Sequence, residues 1–251
     1  MIVADRKPLE EIIEALGDAR RIAVVGCGTC VSVCLSGGQK EAELLAVELR
    51  MALKLKGIDA TVTATEVQRQ CEEEFVTGLK DTVANQDATV SIGCGAGVQF
   101  LARTFPEAQF IPGLNTRFIG VVTAPGAFAE YCQACGDCLL HLTGGICPIS
   151  RCSKSLLNGP CGGSAGGHCE IGSEVDCGWQ LIYDKLAAAG RLDLITRIQK
   201  PKNWQTSRDG GPRPAERGRQ DRPDVLRALL LEMWSPRARQ GRQGHEARRK
   251  S

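Results

Sequence analysis

Eight cysteines fall within residues 132–177 of this 251-residue chain, and any fold must first accommodate them. They are Cys132, Cys135, Cys138, Cys147, Cys152, Cys161, Cys169 and Cys177. The first three follow the spacing C-x2-C-x2-C, which opens the cluster-binding run of bacterial ferredoxins, where a later Cys-Pro supplies the fourth thiolate. Here that pair is Cys147-Pro148, with eight residues between it and Cys138 rather than three. Two intervening residues let the chain curl round one face of a cubane, so that adjacent thiolates reach different irons.

Three chemistries use cysteine at this density. Disulfides require an oxidising compartment, and the charged start MIVADRKPLEEII lacks the apolar run of a secretory signal, so a reduced cytoplasm is the expected setting. Structural zinc usually draws its four ligands from two separated pairs. Three cysteines at x2, x2 spacing suit an iron–sulfur cluster better. Glycines at 144–145, 159, 162–163 and 166–167 let the backbone pass close to such a group and offer amides to sulfur. Arg151, Lys154 and Asn158 lie between the cysteines, where basic side chains offset cluster charge or simply face water. With eight thiols available, His141 and His168 read as surface residues.

The net charge of +2 hides an asymmetry: residues 205–251 carry net +6, and the rest of the chain net −4. From residue 206 the text turns to Gly, Pro, Arg and polar residues, the composition of a disordered basic tail, with 225–234 (VLRALLLEMW) as a short helix candidate. Without a recognised fold or interleaved aromatics, the tail is not read as a nucleic-acid binder. No apolar stretch approaches the roughly 20 residues of a membrane span.

The first half alternates strand and helix patterns. Helices are predicted over 8–20, 37–56, 72–84 and 96–105, and strands over 21–26, 60–67, 87–93 and from 109. Ser36-Gly37-Gly38-Gln39 fits an N-terminal capping box, and Gly57 a helix stop. The pattern predicts an α/β domain over 1–125 with a Rossmann-like or flavodoxin-like parallel sheet. A cysteine-rich, loop-dominated metal-binding region over 126–205 follows, with helices at 178–189 and 192–198, and then the tail over 206–251.

The other five cysteines fall where such sheets bind ligands, beyond the carboxyl ends of the strands. Cys27 and Cys30 follow the first strand, Cys71 the second and Cys94 the third, so a metal site is expected there. Cys34 is the fifth, and its place one turn further on points to the helix core. Gly26, Gly28, Gly93 and Gly95, flanking Cys27 and Cys94, would give thiolates room beside a bulky cluster. A nucleotide reading is weak, because G-x-G-x-x-G is incomplete and Glu66 reads as a solvated strand end.

The segments VGCGTCVSVCLSGGQKE, RQCEEE, GCGAGVQ, PGLNTRFIG, CQACGDC, GGICPISRCSKSLLNGPCGG and CEIGSEVDCGWQLIYDKL, spread over about residues 20–205, resemble the C-terminal-type domain associated with methylenetetrahydrofolate reductase. In acetogenic and related anaerobes this domain occurs as a small subunit beside the flavin-bearing catalytic barrel. The resemblance implies a cytoplasmic electron-transfer subunit in the reductive acetyl-CoA (Wood–Ljungdahl) pathway. It would carry two or three [4Fe–4S] clusters, with zinc in place of one as an alternative, and link the catalytic flavin to an electron-donor protein. No folate or flavin motif, acid/base pair or nucleophile constellation stands in the chain, as suits a protein whose cofactor carries the chemistry. The rival is a zinc-stabilised scaffold subunit; a corrinoid accessory lacks its histidine motif here.

Overall fold

The computed structural model describes residues 1–213. Its first strand is β1 (Ile2–Arg6), followed by α1 (Leu9–Leu16), β2 (Arg21–Cys27), the single turn α2 (Cys30–Val33) and the long helix α3 (Gln39–Leu55). Next come β3 (Thr61–Val67), the short helices α4 (Glu73–Val76) and α5 (Lys80–Ala84), β4 (Ala88–Ser91), α6 (Gly95–Thr104) and β5 (Phe110–Pro112). The chain continues through β6 (Leu114–Ala124), β7 (Ala127–Cys132), the turn α7 (Pro148–Arg151), β8 (His168–Cys169), β9 (Gly172–Asp176) and α8 (Gly178–Ala188).

Strands β2 to β5 form a parallel sheet in the order β3-β2-β4-β5. Counting only these four, the order is 2-1-3-4, that of a doubly wound sheet whose direction of winding reverses between β2 and β4. Strand β2 is buried on both faces, and its side chains alternate between two cores. Ile22 and Val24 join Leu45, Leu49 and Leu53 of α3 on one side; Ala23 and Val25 join Val76, Val83 and Leu101 on the other. Helix α3 turns Ala42, Leu45, Ala46, Leu49 and Leu53 inward at helical spacing.

The start of α3 departs from the expected box. The Gly38 amide donates to the Glu41 carboxylate at 3.0 Å, but the Ser36 hydroxyl turns away to the Ala4 carbonyl at 2.8 Å. The stop at Gly57 is as expected: with φ +74° it donates to Lys54, while Ile58 donates to Leu53, the double bond of a Schellman end. The helix predicted over 72–84 is broken by a 3₁₀ turn at Thr77–Leu79, where Gly78 lowers helical propensity.

A second, antiparallel sheet, β1-β6-β7, was not predicted. Gly113 joins it to the first: its N–H donates to Ser91 of β4 and its carbonyl accepts from Lys7 beyond β1. The hairpin of β6 and β7 turns at Gly126, φ +75°. Further along, β8 and β9 pair as a small hairpin, and α8 brings Trp179, Ile182 and Leu186 onto Leu194 as a separate core. Only a 3₁₀ turn, Leu192–Leu194, stands where a helix over 192–198 was predicted.

Residues Met1–Ser207 form one unit and Arg208–Ser251 a second. The compositional break at residue 206 therefore does not mark the end of packing, since Ser207 is buried. Of the second unit, residues 208–213 are described, with a turn at Arg208–Gly210. The helix candidate at 225–234 and most of the expected disordered tail lie outside the described residues. Among the described residues no helix is long and apolar enough to cross a membrane.

Candidate metal centres

Four of the predicted cysteines line one cavity. Cys132, Cys135, Cys138 and Cys147 share the walls of a space of about 200 Å³ with Tyr131, Leu139, Leu140 and Ile149. They arrive by three local devices. Cys132 is the last residue of β7; Cys135 and Cys138 lie on the loop that follows; Cys147 caps α7, with Pro148 at its first position. The loop is bent by positive φ at Ala134 (+51°) and Gly136 (+79°). The bend aims the Ala134 amide at Cys132 Sγ, 3.4 Å away. Such N–H···S bonds favour the thiolate and, in a cluster, raise its potential. A Cβ on Gly136 would stand 2.1 Å from the Thr206 carbonyl oxygen, so glycine is required there for space as well as for φ.

The second set gathers round residues 151–154. A Cβ on Gly178 would lie 2.5 Å from the Arg151 carbonyl oxygen and 3.0 Å from the Cys152 nitrogen, so Cys177–Gly178 abuts Arg151–Cys152. Cys152 and Cys177 both pack against the Trp179 core. The Ser153 hydroxyl lies 3.8 Å from Cys169 Sγ, and the Gly163 amide donates to Cys161 Sγ at 3.4 Å. Lys154 pairs with Glu170 and also meets Cys161. The Glu170 hydrogen bond, and after it the Cys161 charge, hold the Lys154 ammonium above its usual pKa. Arg151 lies over the Tyr131 ring at 4.9 Å and 4.0 Å from Asp176, and α7 links Cys147 of the first set to Cys152 of the second.

At the carboxyl edge of the parallel sheet, Cys27 ends β2, Cys71 follows β3 and Cys94 caps α6. The Cys71 thiol is pushed up by partial burial and then by the charges of Cys94 and Cys27. Cys30 opens α2. Cys34 is turned into the core, its sulfur 3.4 Å from the Val31 carbonyl and 2.9 Å from Ser36 Oγ.

The glycines beside these cysteines have another duty than making room for a cluster. A Cβ on Gly93 would stand 2.2 Å from Gln70 Oε1, on Gly28 2.9 Å from Glu66, and on Gly26 3.1 Å from the Gly38 carbonyl. Gln70, fully buried, is the residue that sequence reasoning passed over. Its amide donates to the carbonyls of Val25 (2.8 Å) and Gly26 (3.0 Å), and its Oε1 accepts from Ser91 Oγ at 2.5 Å. It thereby ties the ends of β2 and β4 beside Cys71. Its only signal in the sequence was its position next to a cysteine.

Among the described residues, no group of three or more Cys, His, Asp or Glu side chains is gathered closely enough to hold a metal ion as it stands. The thiols stand instead as walls. In the first set, donor chemistry and space both fit a thiolate-ligated cluster: four cysteines, one cavity, apolar surroundings and the Ala134 amide aimed at one sulfur. No curated protein and no solved structure matches the chain. A family model described as methylene-tetrahydrofolate reductase C terminal matches residues 111–205, the stretch that carries both cysteine sets, and to that region this part of the chain is similar.

Proposed function

We propose that the chain is an iron–sulfur electron-transfer subunit that serves a methylenetetrahydrofolate reductase in one-carbon metabolism, as in the reductive acetyl-CoA pathway. The observation that carries the reading is the convergence of Cys132, Cys135, Cys138 and Cys147 on one cavity, within a region similar to the C-terminal part of that reductase. These four would hold a [4Fe–4S] cluster, which when bound accepts and passes on single electrons. The protein's part is to fix the thiolates, aim the Ala134 amide at one of them and shield the site with Leu139, Leu140 and Ile149.

Cys152, Cys161, Cys169 and Cys177 would hold a second centre. They come from separated stretches of chain, as the ligands of tetrahedral zinc do, and this favours zinc for one of the two sites. Cys27, Cys71 and Cys94, with Cys30, are the candidates for a third. The partner is a flavin-containing catalytic subunit, and an electron-donor protein supplies the centres. Such an interface needs apolar surface, and Leu44, Val47, Met51 and Leu55 stand exposed along the outer face of α3.

Anaerobically purified protein should contain iron and acid-labile sulfide and absorb in the visible. Cys135→Ser should remove about one cluster's iron. Iron unchanged with zinc lost would make the cavity a zinc site and the chain a scaffold subunit.

A further inference from the structure

The thiol-bearing loop is strapped down by a segment that none of the metal readings uses. Lys202 has only 1% of its side chain exposed, although it is a lysine on a chain segment without regular structure. Its Nζ donates to the Asp137 carbonyl oxygen at 3.0 Å and lies 3.3 Å from the Asp137 carboxylate. The Trp204 ring stands 5.8 Å from the ammonium. Asp137 sits between Cys135 and Cys138, and its carbonyl also accepts from Cys135 Sγ at 3.7 Å. Two residues beyond Trp204, Thr206 Oγ donates to the Cys135 carbonyl at 2.9 Å. Residues 202–206 thus close over 135–138, with a cation placed under the loop.

Burying an ammonium is costly unless its charge is answered. Here the answering carboxylate is half exposed, so it is screened by water while the ammonium is not. The imbalance leaves positive potential beneath two of the four thiolates. We propose that Lys202 is the charge-setting residue of the Cys132/Cys135/Cys138/Cys147 centre: it acts through the 135–138 loop to stabilise the electron-loaded form and raise the centre's potential. This rests on the cluster reading above. Asp137 works against it, and the two together set the field.

The test uses the full chain, loaded anaerobically, with the reduced signal that disappears in Cys138→Ser followed by electron paramagnetic resonance in a redox titration. Lys202→Met should lower the midpoint, so that at a fixed ambient potential the ratio of reduced to oxidised centre falls about tenfold, a shift of about 59 mV for one electron. Asp137→Asn should move it the other way, and Lys202→Arg should restore it towards the original value. Opposite signs for the two neutralising changes are what a charge effect requires and what a mere loosening of the loop would not give. Equal potentials at equal loading, or shifts of the same sign, overturn the assignment. Loss of the centre in both Lys202→Met and Lys202→Arg makes the lysine a structural prop and also overturns it. A distinct failure, no iron-based signal from this cavity in the unmodified chain, sinks the cluster reading itself.

Discussion

The hydroxyl of Thr206 donates to the carbonyl of Cys135 at 2.9 Å, joining residues seventy-one positions apart. The same hydroxyl lies 2.9 Å from the Asn203 carbonyl, so a side chain at the very end of the first unit holds both the strap and the thiol loop. Thr206→Val keeps the shape and removes the donor. A hydrogen bond of this kind contributes about 1 kcal/mol, and the melting temperature should fall by about 2–4 °C for a chain of this size. Calorimetry of the variant checks it; an unchanged midpoint would mean that the strap contributes nothing to stability.

Gly136 tests the same closure from the other side. Alanine there would meet the Thr206 carbonyl at 2.1 Å in a backbone of φ +79°, and neither partner is a flexible side-chain end. Gly136→Ala should displace the loop and, if the first set holds the cluster proposed above, lower the metal content by that cluster. Gly126→Ala, at the tip of the β6–β7 hairpin with φ +75° but open space around it, should cost only about 1 kcal/mol of backbone strain and leave metal content untouched. Metal analysis of the pair separates crowding from strain.

What the sequence made legible, and what it did not, divides along physical lines. Strands β2, β3 and β4 were readable because burial of β2 on both faces makes an apolar run, Ile22–Val25, with few alternatives. The C-x2-C-x2-C spacing was readable because it encodes local reach. Strands β1, β6 and β7 were not: β6 is exposed along most of its length, at Asn115, Thr116 and Arg117 among others, so it shows neither an apolar run nor a clean alternation, and its pairing joins residue 2 to residue 119. Gln70 and Lys202 were invisible for a similar reason. A buried polar side chain is recognised by its partners, and these come from β2 and β4 in one case and from the thiol loop in the other.

Gln70→Leu removes the tie between β2 and β4 and strands the Ser91 hydroxyl without its acceptor in a site with 0% exposure. An unsatisfied buried polar group costs about 1–3 kcal/mol. Two carbonyls lose a donor as well, so a destabilisation at the upper end, about 3 kcal/mol, is expected in denaturant titration. A loss below about 0.5 kcal/mol, the size of an ordinary surface substitution, would show that water replaces the amide.

Asp87 should keep its charge in acid further down than an ordinary carboxylate. The Arg21 side chain, and then the backbone amides of Arg21 and Arg20, hold its pKa at about 2, well below the usual carboxylate range. A depressed carboxyl stabilises the fold above its unfolded pKa and loses that contribution as pH falls through the folded value. The window is therefore between about pH 4 and pH 2. Melting temperature against pH should be flatter across that window in Asp87→Asn than in the parent chain. Parallel curves would mean that the ion pair is fully screened.

The sheet-edge thiols offer a measurement that needs no metal. Cys71 is on the surface, yet its thiol is held above the usual value by partial burial and then by the nearby charges of Cys94 and Cys27. Only the thiolate reacts with alkylating agents, so a raised pKa leaves less reactive sulfur at neutral pH. Replacing Cys94 with Ser removes the larger of the two charge effects and leaves the burial almost unchanged. In the metal-free chain, Cys71 should then titrate lower and be alkylated faster, as read by mass spectrometry of the peptide that carries it over a pH series. Cys27→Ser should give a smaller shift in the same direction, and Cys34→Ser, whose sulfur lies in the core against Val31 and Ser36, none. An unchanged Cys71 profile in both Cys94→Ser and Cys27→Ser would mean that these three sulfurs do not share an edge, and the third metal site would go with it.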